Sequence, residues 1–176
     1  EFDSSIVELN SDFTISHFGS MPFTRNPLVL WKVLGQLTQT HAELASQLKI
    51  NLIGTVDYQV IDSLKEFGLE NYVTVTPPIP HQESILLQRS TQLLLLVANN
   101  SGNVKGILTG KFFEYLGAKR PIIAIGENDS DLQKIVTHTK CGCFVDYSDE
   151  KTLSSFILLI EYNESLNGIM DRFKKL

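Results

Sequence analysis

The stretch STQLLLLVANNSGNVKGILTGKFFEYLGAKRPIIAIG, residues 90–126, holds two apolar runs with a helical pattern between them. Leu93 to Val97 and Ile122 to Ile125 lack polar alternation, as strands covered on both faces do. Between them, Gly110 to Gly117 (GKFFEYLG) reads as a short helix carrying Lys111 and Glu114 three residues apart. A strand, a helix and a second fully apolar strand form the crossover unit of a parallel sheet.

The same alternation runs outward in both directions. Phe13 to Phe18 is a strand ending in Gly19-Ser20. A long helix is expected from Asn26-Pro27, with Asn26 as N-cap and the proline at the first helical position. Its apolar stripe is Leu30, Leu34, Leu37, Leu44 and Leu48, with His41 in line. Lys49 to Gly54 is the next strand, Gln59 to Phe67 a helix stopped by Gly68, and Tyr72 to Thr76 a strand stopped by PPIP. A helix follows from Pro80 to Arg89, and beyond residue 126 come a helix at Asp129 to Thr137 and a strand at Cys143 to Val145. From Ser148 a last helix sets Leu153, Phe156, Ile157 and Ile160 on one side. The fold expected is α/β: a single Rossmann-like, doubly wound parallel sheet of about six strands, helices on both faces, order 3-2-1-4-5-6. Ligands of such sheets sit at the carboxyl ends of the strands, where the strand order reverses.

Composition narrows the function classes. With 43% hydrophobic and 20% charged residues among 176, the chain suits one globular domain. A net charge of -5 argues against a nucleic-acid partner, which needs a basic face, but leaves room for a small basic pocket. The longest apolar run, Leu93 to Ala98, is far too short to span a bilayer, and the acidic opening EFDSSIVELNSD has no signal-peptide core. Cys141 and Cys143 stand two apart, too close for an unstrained disulfide and too few for structural zinc, so ordinary thiols in a reducing cytoplasm are expected. Two glycosylation triplets, at Asn99 and Asn163, are read as chance. The histidines and carboxylates show no metal-ligand spacing.

Three loops offer chemistry. After the first strand, Gly19 and Ser20 let backbone amides approach a phosphate, and Arg25 is able to reach the same anion; an ordinary turn with a solvent-exposed arginine is the alternative. A single glycine there disfavours a dinucleotide-binding fingerprint. If Thr109-Gly110 opens the helix, Lys111 faces a phosphate and Glu114 a ribose, while Phe112, Phe113 and Leu116 form the buried side. The alternative is a surface ion pair. In the turn IPHQE, Ile79 to Glu83, the backbone is able to contact a nucleobase and His81 a sugar or phosphate; the alternative is a histidine simply solvated at a helix start. His17, beside the first loop, is either a rim contact or a half-buried packing residue. There is no nucleophile elbow, Walker lysine or strong Cys–His pair, so the residues alone point to a domain that binds a phosphorylated ligand.

Taken together and in order, FTISHFGSMPFTRNPLVLWKVLGQL, INLIG, VTVTPPIPHQESILLQRSTQLLLLV and TGKFFEYLGAKRPIIAIG resemble the C-terminal, donor-binding domain of GT-B glycosyltransferases. The resemblance covers Phe13 to Glu161 and is strongest to bacterial retaining enzymes of group 1, which build cell-surface polysaccharides. It implies that Glu114 holds the ribose of a nucleotide sugar, UDP- or GDP-linked. It also implies that Gly19, Ser20, Arg25 and Lys111 meet the diphosphate, with Thr109 and Gly110 beside them. Arg25 and Lys111 would stabilise the leaving diphosphate, and Ile79, Pro80 and His81 would line the base. No metal or other cofactor is expected. Residues 1–12 would be a tail from an N-terminal domain that receives the acceptor, a glycan or lipid-linked sugar; residues 13–176 would be a monomeric donor half, inactive alone. The complete enzyme would work in the cytoplasm, peripheral to the inner face of the plasma membrane. One departure stands out: Gly106 occupies the register where many retaining members carry a glutamate on the donor sugar, which leaves retention of configuration open. A GT-B nucleotide-sugar epimerase and a non-catalytic nucleotide-binding module are the other readings.

Overall fold

The computed structural model describes residues 7–99 and 110–162. Six strands form one all-parallel sheet: β1 (Phe13–Phe18), β2 (Leu48–Ile53), β3 (Val73–Thr76), β4 (Leu93–Val97), β5 (Ile122–Ile125) and β6 (Gly142–Val145). Their order is 3-2-1-4-5-6, the doubly wound order expected from the alternation. Seven helices are described: α1 (Leu28–Thr40), α2 (Ala42–Gln47), α3 (Tyr58–Glu66), α4 (His81–Ser90), α5 (Gly110–Ala118), α6 (Asp131–Thr139) and α7 (Glu150–Tyr162). Two hydrophobic clusters result, one on each face of the sheet. One joins the sheet to α1, α3 and α7 through Trp31, Leu34, Leu64 and Ile157; the other joins it to α5 and α6 through Phe112, Tyr115, Leu132 and Val136.

Local chemistry sets the helix ends. The Asp57 carboxylate accepts from the Gln59 amide at 2.9 Å and starts α3. Gly68 ends it at φ 70°, with Gly68 N–H on the Lys65 carbonyl and Leu69 N–H on that of Leu64, a Schellman pair. Ser130 caps α6.

Three local expectations are corrected. The stripe from Leu30 to Leu48 is not one helix. The chain breaks at His41 (φ −125°, ψ 92°), Leu44 lies on the separate α2, and Leu48 pairs with Phe13 in the sheet. The sheet register claims Leu48, and a helix running through it would leave β2 without its first residue. Asn26 does not cap α1. Its side-chain oxygen accepts from the Trp31 indole at 2.8 Å, because a fully buried indole N–H needs an acceptor. On α5 the buried side is Phe112, Tyr115 and Ala118; Phe113 is exposed and meets Phe112 edge-on.

Candidate functional site

The strand order reverses between β1 and β4, and there the sheet pairs least. β1 has six registered partners in β2 but only two in β4, Ile15↔Leu93 and Ser16↔Leu94. Beyond Ser16 the two backbones need other partners for their buried polar groups. Side chains supply them. The Tyr115 hydroxyl accepts from Phe18 N–H at 3.0 Å and donates to the Leu95 carbonyl at 3.4 Å. His17, 1% exposed, places Nδ1 2.9 Å from the same carbonyl.

Nε2 in turn lies 3.4 Å from the Ser20 carbonyl. A carbonyl only accepts, and Nδ1 makes the shorter contact, 2.9 Å against 3.4 Å, so the proton is assigned to Nδ1 and the lone pair to Nε2. Nε2 lies 3.5 Å from Lys111 Nζ, which donates to it. Burial, and after it the charge of Lys111, lowers the His17 pKa to about 4, so the ring is neutral at pH 7. Lys111 is itself lowered to about 8, by burial first and Arg25 second, while Glu114 opposes the shift. Burial also pushes the Tyr115 hydroxyl well above its ordinary range.

Two glycines let the turns after β1 and β2 stack beneath Lys111. Gly19 has φ 98°, and a Cβ there would lie 2.8 Å from Lys111 Nζ. Gly54 has φ 139°, and its Cβ would sit 2.2 Å from the Gly19 carbonyl oxygen. Only glycine fits both the left-handed conformation and the close approach. The stack is tied by Gly19 N–H to the Ile53 carbonyl at 2.7 Å and Met21 N–H to that of Thr55 at 2.9 Å. Arg25, on a 3-10 turn at Phe23–Arg25, donates from Nε to Asn99 Oδ1 at 2.6 Å and from a terminal nitrogen to the Ser20 carbonyl at 3.4 Å.

A cleft of about 290 Å³ opens over these groups at the carboxyl edge of the sheet. Of the residues singled out in the sequence, Gly19, Ser20, Ile79, His81, Lys111 and Glu114 line it. Arg25 lies at its margin through Ser20, whereas Pro80 and Gly110 are not in its walls. Pro78 takes the place given to Pro80: the turn before α4 directs positions 78, 79 and 81 inward. Thr109 and Gly106 lie outside the described residues. The sequence reading missed Gly54, Thr55 and Ser84 in the walls and Tyr115 beneath; His17, read as a rim contact or a half-buried packing residue, is fully buried beneath the cleft. A glycine closing the second strand was the available signal for Gly54. Nothing local marked Thr55, Ser84 or Tyr115.

A larger hollow of about 380 Å³ lies beside β6, near the amino ends of β5 and β6 at Pro121 and Gly142. Its walls include Val136, Phe144, Phe156 and Leu159, with Gln133, Thr137 and Lys140 as polar members among the described residues. Cys141 and Cys143 are free thiols raised by burial, Cys143 to about 11. Among the described residues no group of three or more metal-ligating side chains is present, and no helix is long and apolar enough to cross a membrane.

No protein-family model matches the chain, and no curated protein matches it in sequence. Solved structures do. WaaG, a glycosyltransferase involved in lipopolysaccharide biosynthesis, aligns with TM-score 0.69 at 13% identity, over 93% of this chain and 42% of that one. TarM of S. aureus, in a complex that includes α-GlcNAc-glycerol and UDP, aligns with TM-score 0.69 at 13% identity, over 99% of this chain and 33% of that one. The C-terminal domain of LpcC, a group 1 family glycosyl transferase from Francisella tularensis, aligns with TM-score 0.63 at 13% identity, over 95% of this chain and 87% of that domain. The chain therefore spans less than half the length of WaaG or TarM and nearly all of the LpcC domain. It has the Rossmann-like fold of a glycosyltransferase C-terminal domain.

Proposed function

We propose that this chain is the donor-binding half of a GT-B glycosyltransferase, which moves a sugar from a nucleotide diphosphate sugar to an acceptor. The observation that carries the reading is the cleft at the β1/β4 reversal, which brings together two glycine turns, Lys111, Glu114 and the Ile79–His81 turn. A nucleotide diphosphate has parts to match them.

In this reading the turn at Gly19 and Ser20, with Lys111 and Arg25, takes the diphosphate. Glu114 accepts from the ribose hydroxyls, and the turn before α4 lines the base. Transfer breaks the bond from sugar C1 to the diphosphate oxygen; the electron pair leaves with the diphosphate, and the sugar passes through an oxocarbenium-like state. The two cations stabilise the charge that develops on the leaving oxygen, an effect strengthened in a water-poor site. The acceptor, a glycan or lipid-linked sugar of cell-surface polysaccharide synthesis, belongs to a companion domain. The likeness to WaaG and TarM supports that setting.

The test is calorimetric titration of the chain with UDP and with GDP, repeated on Glu114→Ala and Arg25→Ala. One nucleotide is expected to bind, weakened about 10-fold or more by each substitution, as loss of a charge-assisted hydrogen bond requires. Binding unchanged by Glu114→Ala would overturn the assignment.

A further inference from the structure

Among the described residues, Lys111 in the cleft and Arg25 at its margin are the cations there, and each is held in the same way. Lys111 donates to the neutral imidazole of His17; Arg25 donates to the neutral amide oxygen of Asn99 and to the Ser20 carbonyl. Among the described residues, no carboxylate forms an ion pair with either. His17 is near the end of β1, and Asn99 lies two residues past the end of β4, so the two strands that separate at the reversal supply one acceptor each.

The chemistry of those acceptors matters. A long cationic side chain next to an anion site needs an anchor, or its rotamer entropy opposes binding. A carboxylate anchor would supply one but would cancel the charge, and an incoming anion would have to displace it. A neutral acceptor orients the cation and leaves its charge whole. His17 is suited to this because Nδ1 makes the short contact to Leu95, which leaves the lone pair on Nε2, the atom that lies 3.5 Å from Lys111 Nζ and 3.4 Å from the Ser20 carbonyl.

We propose that His17 and Asn99 are positioning residues, neutral acceptors that aim Lys111 and Arg25 at a diphosphate without discharging them. The proposal rests on reading the cleft as a nucleotide diphosphate site. The groups facing Lys111 are His17 on β1, Arg25 on the 3-10 turn, Glu114 on its own helix and His81 across the cleft from α4.

The experiment follows the Lys111 Cε and Nζ resonances of the chain against pH in the parent, His17→Leu and His17→Gln, with the Lys111 signal identified by its loss in Lys111→Met. In the parent Lys111 titrates near 8. In His17→Leu the ammonium loses its acceptor and titrates lower. In His17→Gln, whose amide is able both to donate to Leu95 and to accept from Lys111, it returns toward the parent value. UDP and GDP titrations on the same variants and on Asn99→Asp are expected to weaken about 10-fold for His17→Leu and for Asn99→Asp, where a new ion pair ties up Arg25, and to stay near the parent for His17→Gln. An unchanged Lys111 titration in folded His17→Leu, or imidazole nitrogen shifts placing the proton on Nε2, would overturn the role of His17. Undiminished nucleotide affinity in Asn99→Asp would overturn that of Asn99. Should the parent bind neither nucleotide, the donor reading falls, while the Lys111 titration and the imidazole shifts still decide for His17. If His17→Leu does not fold, the imidazole shifts of the parent decide.

Discussion

The two ends of the β1/β4 pair bury polar groups in the same sheet and treat them in opposite ways. At the amino end the groups close on one another. Thr91 Oγ1 lies 2.9 Å from Thr14 Oγ1 and 2.8 Å from Ser16 Oγ. The Gln92 amide nitrogen meets Thr14 Oγ1 at 3.1 Å, the Gln92 side chain bonds Asn10 and Thr14, and the buried Arg120 donates to the Thr91 carbonyl at 2.7 Å. At the carboxyl end His17 and Tyr115 satisfy the backbone, while Lys111 lines a cleft, Arg25 lies at its margin, and neither is paired with a carboxylate among the described residues. One seam holds the strands together, and the other stores unneutralised charge in a half-buried place. Groups that satisfy each other have nothing left for a ligand, so on the proposed reading it is the second end that binds one.

Acidification should separate the two ends most sharply. The pKa of His17 falls from 6.5 to about 4 on folding, so between those values the unfolded chain binds the proton and the folded one does not. Stability is therefore full above pH 6.5 and falls as pH drops toward 4, by about 3 kcal/mol for a shift of this size. Denaturant melts at pH 7 and pH 4 on the parent and on His17→Gln check it, since the variant should lose that component. An equal loss in both would assign the acid sensitivity elsewhere.

Next in size is a substitution that trades function for stability. Lys111 binds its proton less tightly folded than unfolded, so at any pH below about 8 its charge costs stability, and the cost disappears as pH rises from 8 to 10.5. Lys111→Met should raise stability at pH 7 by about 1–2 kcal/mol, allowing for its partial exposure, and abolish most nucleotide binding. Paired melts and titrations read both effects; a destabilised Lys111→Met would erase the contrast.

The smallest expected effect lies at the amino end. Thr91→Val removes the hydroxyl shared by Thr14 and Ser16 and should cost about 1 kcal/mol, with nucleotide affinity untouched. A change in affinity would mean that the two ends are coupled through β1.

Much of this architecture was legible without coordinates. β4 and β5 begin and end where the apolar runs do, and Gly68 stops α3 as its identity predicts. Six of the chosen site residues do line one cleft, because the carboxyl ends of parallel strands converge there whatever the loops contain. The stripe through His41 misled because a period-3.6 pattern does not reveal that the sheet takes its last member, Leu48. Phe113 misled because hydrophobicity alone does not tell which side of α5 faces the sheet.

Local period and punctuation thus determined the elements, their order and the edge of the sheet that carries the site, since these depend on neighbours within a few residues. Tertiary structure alone decided the polar chemistry. His17 meets Leu95 and Lys111 across separations of 78 and 94 residues, and Arg25 meets Asn99 across 74. Hydrogen bonds are satisfied by position in space, and a buried histidine, a tyrosine or an asparagine looks the same in sequence whether it packs, caps or aims a charge.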